Sequence, residues 1–147
     1  MRYTILFSIF LFTTFISCKK DKFSTTPSLK FEKVNTKNLH PGEVITFTLS
    51  FTYKGDLTGS VFVQEMEPTC VGSNFTDTYP VPSFSASKNE KGEITVTFGY
   101  NSSNSSYTNI SPKCQRNDTA TFRFALIADS SHVSDTVSSP PVVIYNQ

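Results

Sequence analysis

Glu43-Val44-Ile45-Thr46-Phe47-Thr48-Leu49-Ser50-Phe51-Thr52-Tyr53 is the stretch whose reading decides the fold. Ile45, Phe47, Leu49, Phe51 and Tyr53 alternate with Val44, Thr46, Thr48, Ser50 and Thr52. Successive side chains of a strand point to opposite faces, so this period of two predicts a strand with one apolar wall and one face mostly of hydroxyls. The preceding His40-Pro41-Gly42-Glu43 reads as a turn, with Pro where φ is fixed and Gly where φ > 0 is accepted.

Working outward, further strands are expected over residues 28–34, 60–66, 79–86, 93–100, 119–129 and about 133–145. Leu29 and Phe31 share a face in 28–34, Val61 and Val63 in 60–66. Ile94, Val96, Phe98 and Tyr100 alternate in 93–100, and Ala120, Phe122, Phe124, Leu126 and Ala128 in 119–129. Pro80, Pro82 and Pro140-Pro141 cannot donate to a ladder, which confines their segments to sheet edges. Residues 67–78 and 101–118 read as long polar loops. No stretch has helical periodicity, and a composition with 14 Phe and no Trp, spaced by Ser, Thr and Asn, favours pleated sheet. About seven strands with turns between them predict an all-β, antiparallel β-sandwich.

With these strands in order, the chain resembles immunoglobulin-like and fibronectin-type-III-like domains. More narrowly, Phe122-Arg123-Phe124, Asp129, Ser134-Asp135-Thr136-Val137, Pro140 and Val142-Val143-Ile144 look like the closing hairpin of small Bacteroidota lipoproteins with such folds. The resemblance covers residues 29–145 and implies a fold and an address rather than an activity. The buried Trp of antibody domains is missing.

The N-terminus supplies the address. Met1-Arg2 gives one positive charge, and residues 3–16 are uncharged and rich in Phe, Ile and Leu. That run suits a signal-peptide core and is short of the ~20 residues needed to span a bilayer. Its end, Phe15-Ile16-Ser17-Cys18, looks like a bacterial lipobox, with Ser17 as the small residue before the cut and Lys19-Lys20 ending the apolar run. The resemblance implies a signal peptide over residues 1–17 and lipid attachment at Cys18. It also implies a bacterial outer-membrane location, since residue 19 is not the Asp of inner-membrane retention. The alternative is an ordinary cleaved signal peptide with Cys18 beside it. The stretch Lys19-Lys20-Asp21-Lys22 lacks the acidic cluster of surface-exported relatives, leaving the periplasmic face and the cell surface as alternatives. Residues 18–27 read as a lipidated flexible tether and residues 28–147 as the domain.

Cleavage leaves Cys70 and Cys114 as an even pair outside the reducing cytosol, which predicts a disulfide. In an immunoglobulin-like sandwich the third and sixth strands are antiparallel neighbours. That sets Cys70, just after one, near Cys114, just before the other. The first strand then begins at the opposite pole. The two bridged loops carry Phe75, Tyr79, Tyr107 and Arg116, the candidate partner contacts, since recognition concentrates on loops held by a rigid scaffold.

Other chemistry reads weakly. His132 lies beside Asp129, Ser130 and Ser131, but a catalytic triad converges from separate elements. Glu65 and Glu67 read as surface carboxylates, and Asp129 and Asp135 as turn formers. His and Cys spacing gives no metal site, no glycine loop cradles phosphate, and no cofactor is expected. Several Asn-X-Ser/Thr triplets, Asn101-Ser102-Ser103 among them, are frequent by chance in such loops. The full chain has 13 Lys+Arg against 12 Asp+Glu; losing Arg2 with the signal peptide leaves a neutral protein, with no electrostatic reason to seek nucleic acid. The expectation is a non-enzymatic binding or adhesion module, held to a membrane through Cys18 and facing a protein or glycan partner. A structural subunit of an outer-membrane assembly is the second reading, and a small secreted hydrolase a distant third.

Overall fold

The computed structural model describes residues 23–72, 75–82, 89–104 and 106–147. The expected signal peptide (1–17), lipid attachment at Cys18 and residues 18–22 of the tether lie outside them, as do residues 83–86 of the expected fourth strand. The described chain is all-β and forms two mixed sheets. No helix among the described residues is long and apolar enough to cross a membrane.

Ten strands form. They are β1 (Ser28–Val34), β2 (Asn38–Leu39), β3 (Val44–Tyr53), β4 (Ser60–Met66), β5 (Thr76–Pro80), β6 (Glu90–Gly99), β7 (Thr108–Asn109), β8 (Asp118–Ile127), β9 (Val137–Ser138) and β10 (Val142–Ile144). One sheet runs β1-β3-β6-β7. The other runs β2-β10-β8-β4-β5, with β9 also on β8. The long alternating stretch is β3, and it pairs along its whole length with β6, from Val44↔Gly99 to Tyr53↔Glu90. The turn before it closes as expected: Gly42 has φ +88° and the Glu43 N–H reaches the His40 carbonyl at 3.1 Å.

Three expectations need correction. The sheets are not purely antiparallel, because β2–β10 and β6–β7 pair in parallel. Both parallel pairs are two-residue segments of passing connections laid along a sheet edge, too short to carry a periodic signal. The fourth strand is shifted to Thr76–Pro80; its proline lies at its end and the strand forms the edge of its sheet. The last strand is split into β9 and β10 by Pro140-Pro141, both pieces pairing with β8.

Two buried serines make that split tolerable. Ser139 donates its N–H to the Phe122 carbonyl at 2.8 Å, and its Oγ accepts the Phe122 N–H at 3.0 Å. Ser134 does the same with Leu126, at 2.8 and 2.9 Å. Each hydroxyl thus stands in for a carbonyl that an irregular strand cannot present, and no N–H of β8 is left bare at these points. The hydroxyl protons go to the next carbonyls, Asp135 and Pro140.

The core lies between the sheets. Phe47 of β3 meets Phe122 and Phe124 of β8 at ring-centre distances of 5.0 and 5.2 Å, and Phe98 of β6 lies 5.9 Å from Phe122. All four are fully buried, and such ring pairs add to what their burial already contributes.

The sandwich has two distinct poles. At one, β1 begins opposite Thr52, and the connection 54–59 crosses from β3 to β4. Here the Lys54 N–H holds the Ser24 carbonyl at 2.8 Å, and Pro27 is buried, so the last residues before β1 lie against the domain. Gly59 is required at this pole for space: a Cβ there would sit 1.7 Å from the Ile127 carbonyl oxygen. At the other pole β4 ends, β8 begins and β10 ends, with Met66↔Thr121 and Ile144↔Asp118 in register.

Candidate functional site

The second pole is built around a cystine. Glu67, at φ +52°, turns the chain out of β4. The Thr69 N–H then bonds the Thr119 carbonyl at 3.2 Å and the Cys70 N–H bonds Asp118 Oδ1 at 3.0 Å, continuing the contact between β4 and β8 past the end of the ladder. This delivers Cys70 to Cys114, and the two form a disulfide with Cα atoms 5.6 Å apart. Cys70 is fully buried, while its neighbour Val71 is 95% exposed, on a turn finished by Gly72 at φ +86°.

The partner loop is held by its own polar side chains. The Asn101 N–H bonds Asn109 Oδ1 at 2.7 Å, the Asn104 N–H bonds Ser102 Oγ at 3.2 Å, and the Ser106 N–H bonds Asn104 Oδ1 at 3.0 Å. The Ile110 N–H bonds the Gly99 carbonyl, and Ile110 is buried as the loop's apolar root. Short Asn and Ser side chains bond nearby backbone readily, which is how a polar loop takes one shape.

The four candidate contacts do not converge. Phe75 and Tyr79 turn inward and set their rings edge-on to Phe98, at 5.4 and 6.0 Å. Tyr79 also donates its hydroxyl to Thr108 Oγ1 at 3.0 Å, tying β5 to β7 across the two sheets. Burial, first of all, raises its phenol above the usual range. Arg116 is exposed and donates from Nη2 to the Thr69 carbonyl at 2.9 Å, bracing the cystine loop. Tyr107 keeps an exposed ring. The exposed apolar groups of this pole are therefore Tyr107 and Val71, the latter absent from the sequence reading because a lone Val in a loop carries no pattern.

Behind the cystine lie two carboxyl groups. Glu65 is 6% exposed and faces the interior with Val61 and Val63, which corrects its reading as a surface residue. Asp118 is fully buried; Oδ1 takes the Cys70 N–H and Oδ2 has no hydrogen-bond partner. Burial first, and then the Asp118 charge, push the Glu65 carboxyl up to about 7, against the Phe75 backbone N–H and Lys113, which pull it down. Both residues continue the inward alternation of their strands, Val61-Val63-Glu65 and Asp118-Ala120-Phe122, so the period of two is the signal that locates them.

At the first pole, Asp129 acts as a turn former. Its Oδ1 accepts the Ser131 and His132 N–H groups at 2.8 and 3.0 Å, and the His132 ring nitrogen lies 2.8 Å from Oδ2. The Ser131 N–H, followed by the His132 side chain, holds this carboxyl below its ordinary range. Three residues of one turn make most of this cluster, the Ser131 contribution being a backbone N–H, and Tyr53 of β3 adds its hydroxyl, which donates to Asp129 Oδ2 at 3.4 Å. Among the described residues no group of three His, Cys, Asp or Glu side chains is placed to hold a metal ion.

A groove of about 320 Å³ runs between the sheet edges on one flank, lined by Val61 and residues 79–82 on one side and residues 93–97 on the other.

No family model and no curated protein matches the chain. Among solved structures, the sporulation control protein Spo0M from Bacillus subtilis is similar at 10% identity and a TM-score of 0.43, over 83% of this chain and 50% of that one. This chain thus spans half of that one, and a likeness at this level says nothing about activity.

Proposed function

We propose that this protein is a lipid-anchored envelope module of the outer membrane, cut before Cys18 and acylated there, that binds a protein or glycan partner and performs no catalysis. Its domain is read as an immunoglobulin-like sandwich of the Bacteroidota lipoprotein kind. The antiparallel β4–β8 pair supports this, being the third and sixth long strands. In antibody constant domains the fourth strand joins the sheet of the first, second and fifth. Here β5 lies beside β4 instead, which disfavours the constant-domain arrangement.

One observation carries the functional reading: the first strand begins at the pole opposite the cystine. A tether at Ser28 leaves the braced loops facing away from the membrane, with Val71 fully exposed on a loop that a disulfide holds still. An apolar side chain so presented lowers the ordering cost of binding. The test joins fatty-acid labelling with photocrosslinking in cells from position 71 or 107, using position 30 on the far strand as control. The expected result is acyl label on Cys18 and a partner captured from the loop positions alone, lost with Val71→Ser and Tyr107→Ser. An unlabelled Cys18, or membrane retention unchanged by Cys18→Ser, overturns the anchor. Capture from position 30 alone overturns the orientation. A second reading, a structural subunit that joins a larger assembly by its sheet edge, is favoured by β5 ending its sheet; loss of assembly on edge substitution, with the loops dispensable, selects it.

A further inference from the structure

The flank groove has a chemical bias that narrows its occupant. Its base is apolar: Val61, Val81 and Val96 are buried and Ile94 is packed against the core. It lies where the described sheets end: among the described residues β7 pairs with Phe98 and Gly99, and β6 from Glu93 to Thr97 has β3 as its one neighbouring strand. An extended peptide is poorly served there. On one lip Pro80 and Pro82 have no N–H to offer, and on the other Glu93 puts a charge on the edge, the usual guard against strand addition. An occupant without hydrogen-bonding groups of its own needs neither a donor from the prolines nor strand pairing with β6. The volume, about 320 Å³, is at the small end for ligand cavities, about 300–1,000 Å³, and an open groove of that size suits a thin chain.

The position of the groove supplies the source. The connection 54–59 holds the tether root at one end, through the Lys54 N–H to the Ser24 carbonyl. It holds the groove lip at the other, where the Val81 N–H bonds the Gly59 carbonyl at 2.9 Å. Five residues separate these points, so they lie at most about 18 Å apart. Cys18 precedes Ser24 by six residues, a reach of roughly 20 Å when extended.

We propose that this groove shelters one fatty acyl chain of the lipid on Cys18 whenever the protein is out of the bilayer. The inference rests on acylation of Cys18, as the proposed function does. Water drives the chain into the groove and a bilayer, with more apolar volume, draws it out.

The test is to feed producing cells a diazirine-bearing palmitate, purify the acylated full chain, remove detergent, irradiate, and map adducts by mass spectrometry. The expected result is label on Cys18 and adducts on Val81 or within residues 92–97, lost when vesicles are present during irradiation. Ile94→Asp abolishes these adducts with acylation intact. Thr95→Tyr, which narrows the groove from its exposed lip without touching the core, does the same should Ile94→Asp fail to fold. Label on Cys18 with adducts elsewhere, or groove adducts indifferent to both variants, overturns the groove and leaves the anchor standing. Absence of label from Cys18 overturns both.

Discussion

Replacing Glu65 by Gln is expected to change how stability depends on pH. The residue is almost wholly buried and its carboxyl is raised from 4.5 to about 7, chiefly by burial and then by the charge of Asp118. In the unfolded chain it releases its proton near its ordinary value. Between about pH 4.5 and 7 the folded protein therefore binds more protons than the unfolded one, and stability falls as pH rises. The favourable contribution is complete below 4.5 and gone above about 7. A tenfold change in proton affinity corresponds to about 1.4 kcal/mol, so the span is about 3 kcal/mol. The carboxyl is less deeply placed than the residue as a whole, and solvent screening trims this to about 2 kcal/mol.

Gln keeps the shape and the capacity to accept the Phe75 N–H, and never ionises. At pH 4.5 the two proteins are expected to have similar stability. At pH 8 the Gln protein is expected to be the more stable by about 2 kcal/mol, or roughly 5–10 °C in melting temperature for a domain of this size. The assay is urea unfolding at pH 4.5, 6 and 8, followed by circular dichroism because the chain has no Trp. The difference between the proteins cancels contributions of opposite sign, such as Asp129, whose depressed carboxyl loses stabilisation on the acid side. A difference flat from pH 4.5 to 8 refutes the reasoning, because it means the Glu65 carboxyl titrates alike in both states.

Three further substitutions probe the scaffold. Cys114→Ser opens a loop set by a sequence separation of 44 and is expected to cost up to about 4 kcal/mol, most of it through the unfolded chain, read as a lower urea midpoint that reduction of the parent reproduces. Ser139→Ala strips the acceptor from the buried Phe122 N–H and is expected to cost about 1–3 kcal/mol, with faster hydrogen exchange at that amide and no change at Phe47. Gly59→Ala sets a methyl against the Ile127 carbonyl, backbone that cannot swing aside, and is expected to cost about 1–3 kcal/mol or more; a melting temperature within a degree of the parent would show that the approach relaxes freely.

Legibility follows the length of the pattern. β3 and β8 each carry ten residues of alternation, and one register slip would turn every ring of Phe47, Phe122 and Phe124 to the solvent. Their identity, their faces and the pole that joins Cys70 to Cys114 are accordingly written in the sequence. β2 and β7 have two residues each, where no period exists, and their parallel pairing depends on where long connections pass. Phe75 and Tyr79 read as loop contacts from their neighbours' polarity; their rings are decided by the space beside Phe98, which belongs to the tertiary packing. Ser134 and Ser139 look like ordinary loop serines until β8 is seen to need acceptors there.

The buried acids and the exposed valine belong to one design of the cystine pole. A loop that displays an apolar side chain must be fixed, or the cost of ordering it cancels what the contact contributes. The Cys70 N–H reaches Asp118 Oδ1 and the Arg116 guanidinium reaches the Thr69 carbonyl, so both residues before Val71 are fastened to the start of β8. Asp118 can serve only from inside, and its second oxygen is then buried without a partner. Its charge in turn raises Glu65. The rigidity at Val71 and the part of the unfavourable ionisation at Glu65 that burial does not supply thus share Asp118 as a source. Asp118→Asn should loosen the loop and bring the Glu65 carboxyl back toward its ordinary range together, the first as faster hydrogen exchange at Cys70, the second as a weaker pH dependence of stability. A change in one without the other would separate two effects that the geometry joins.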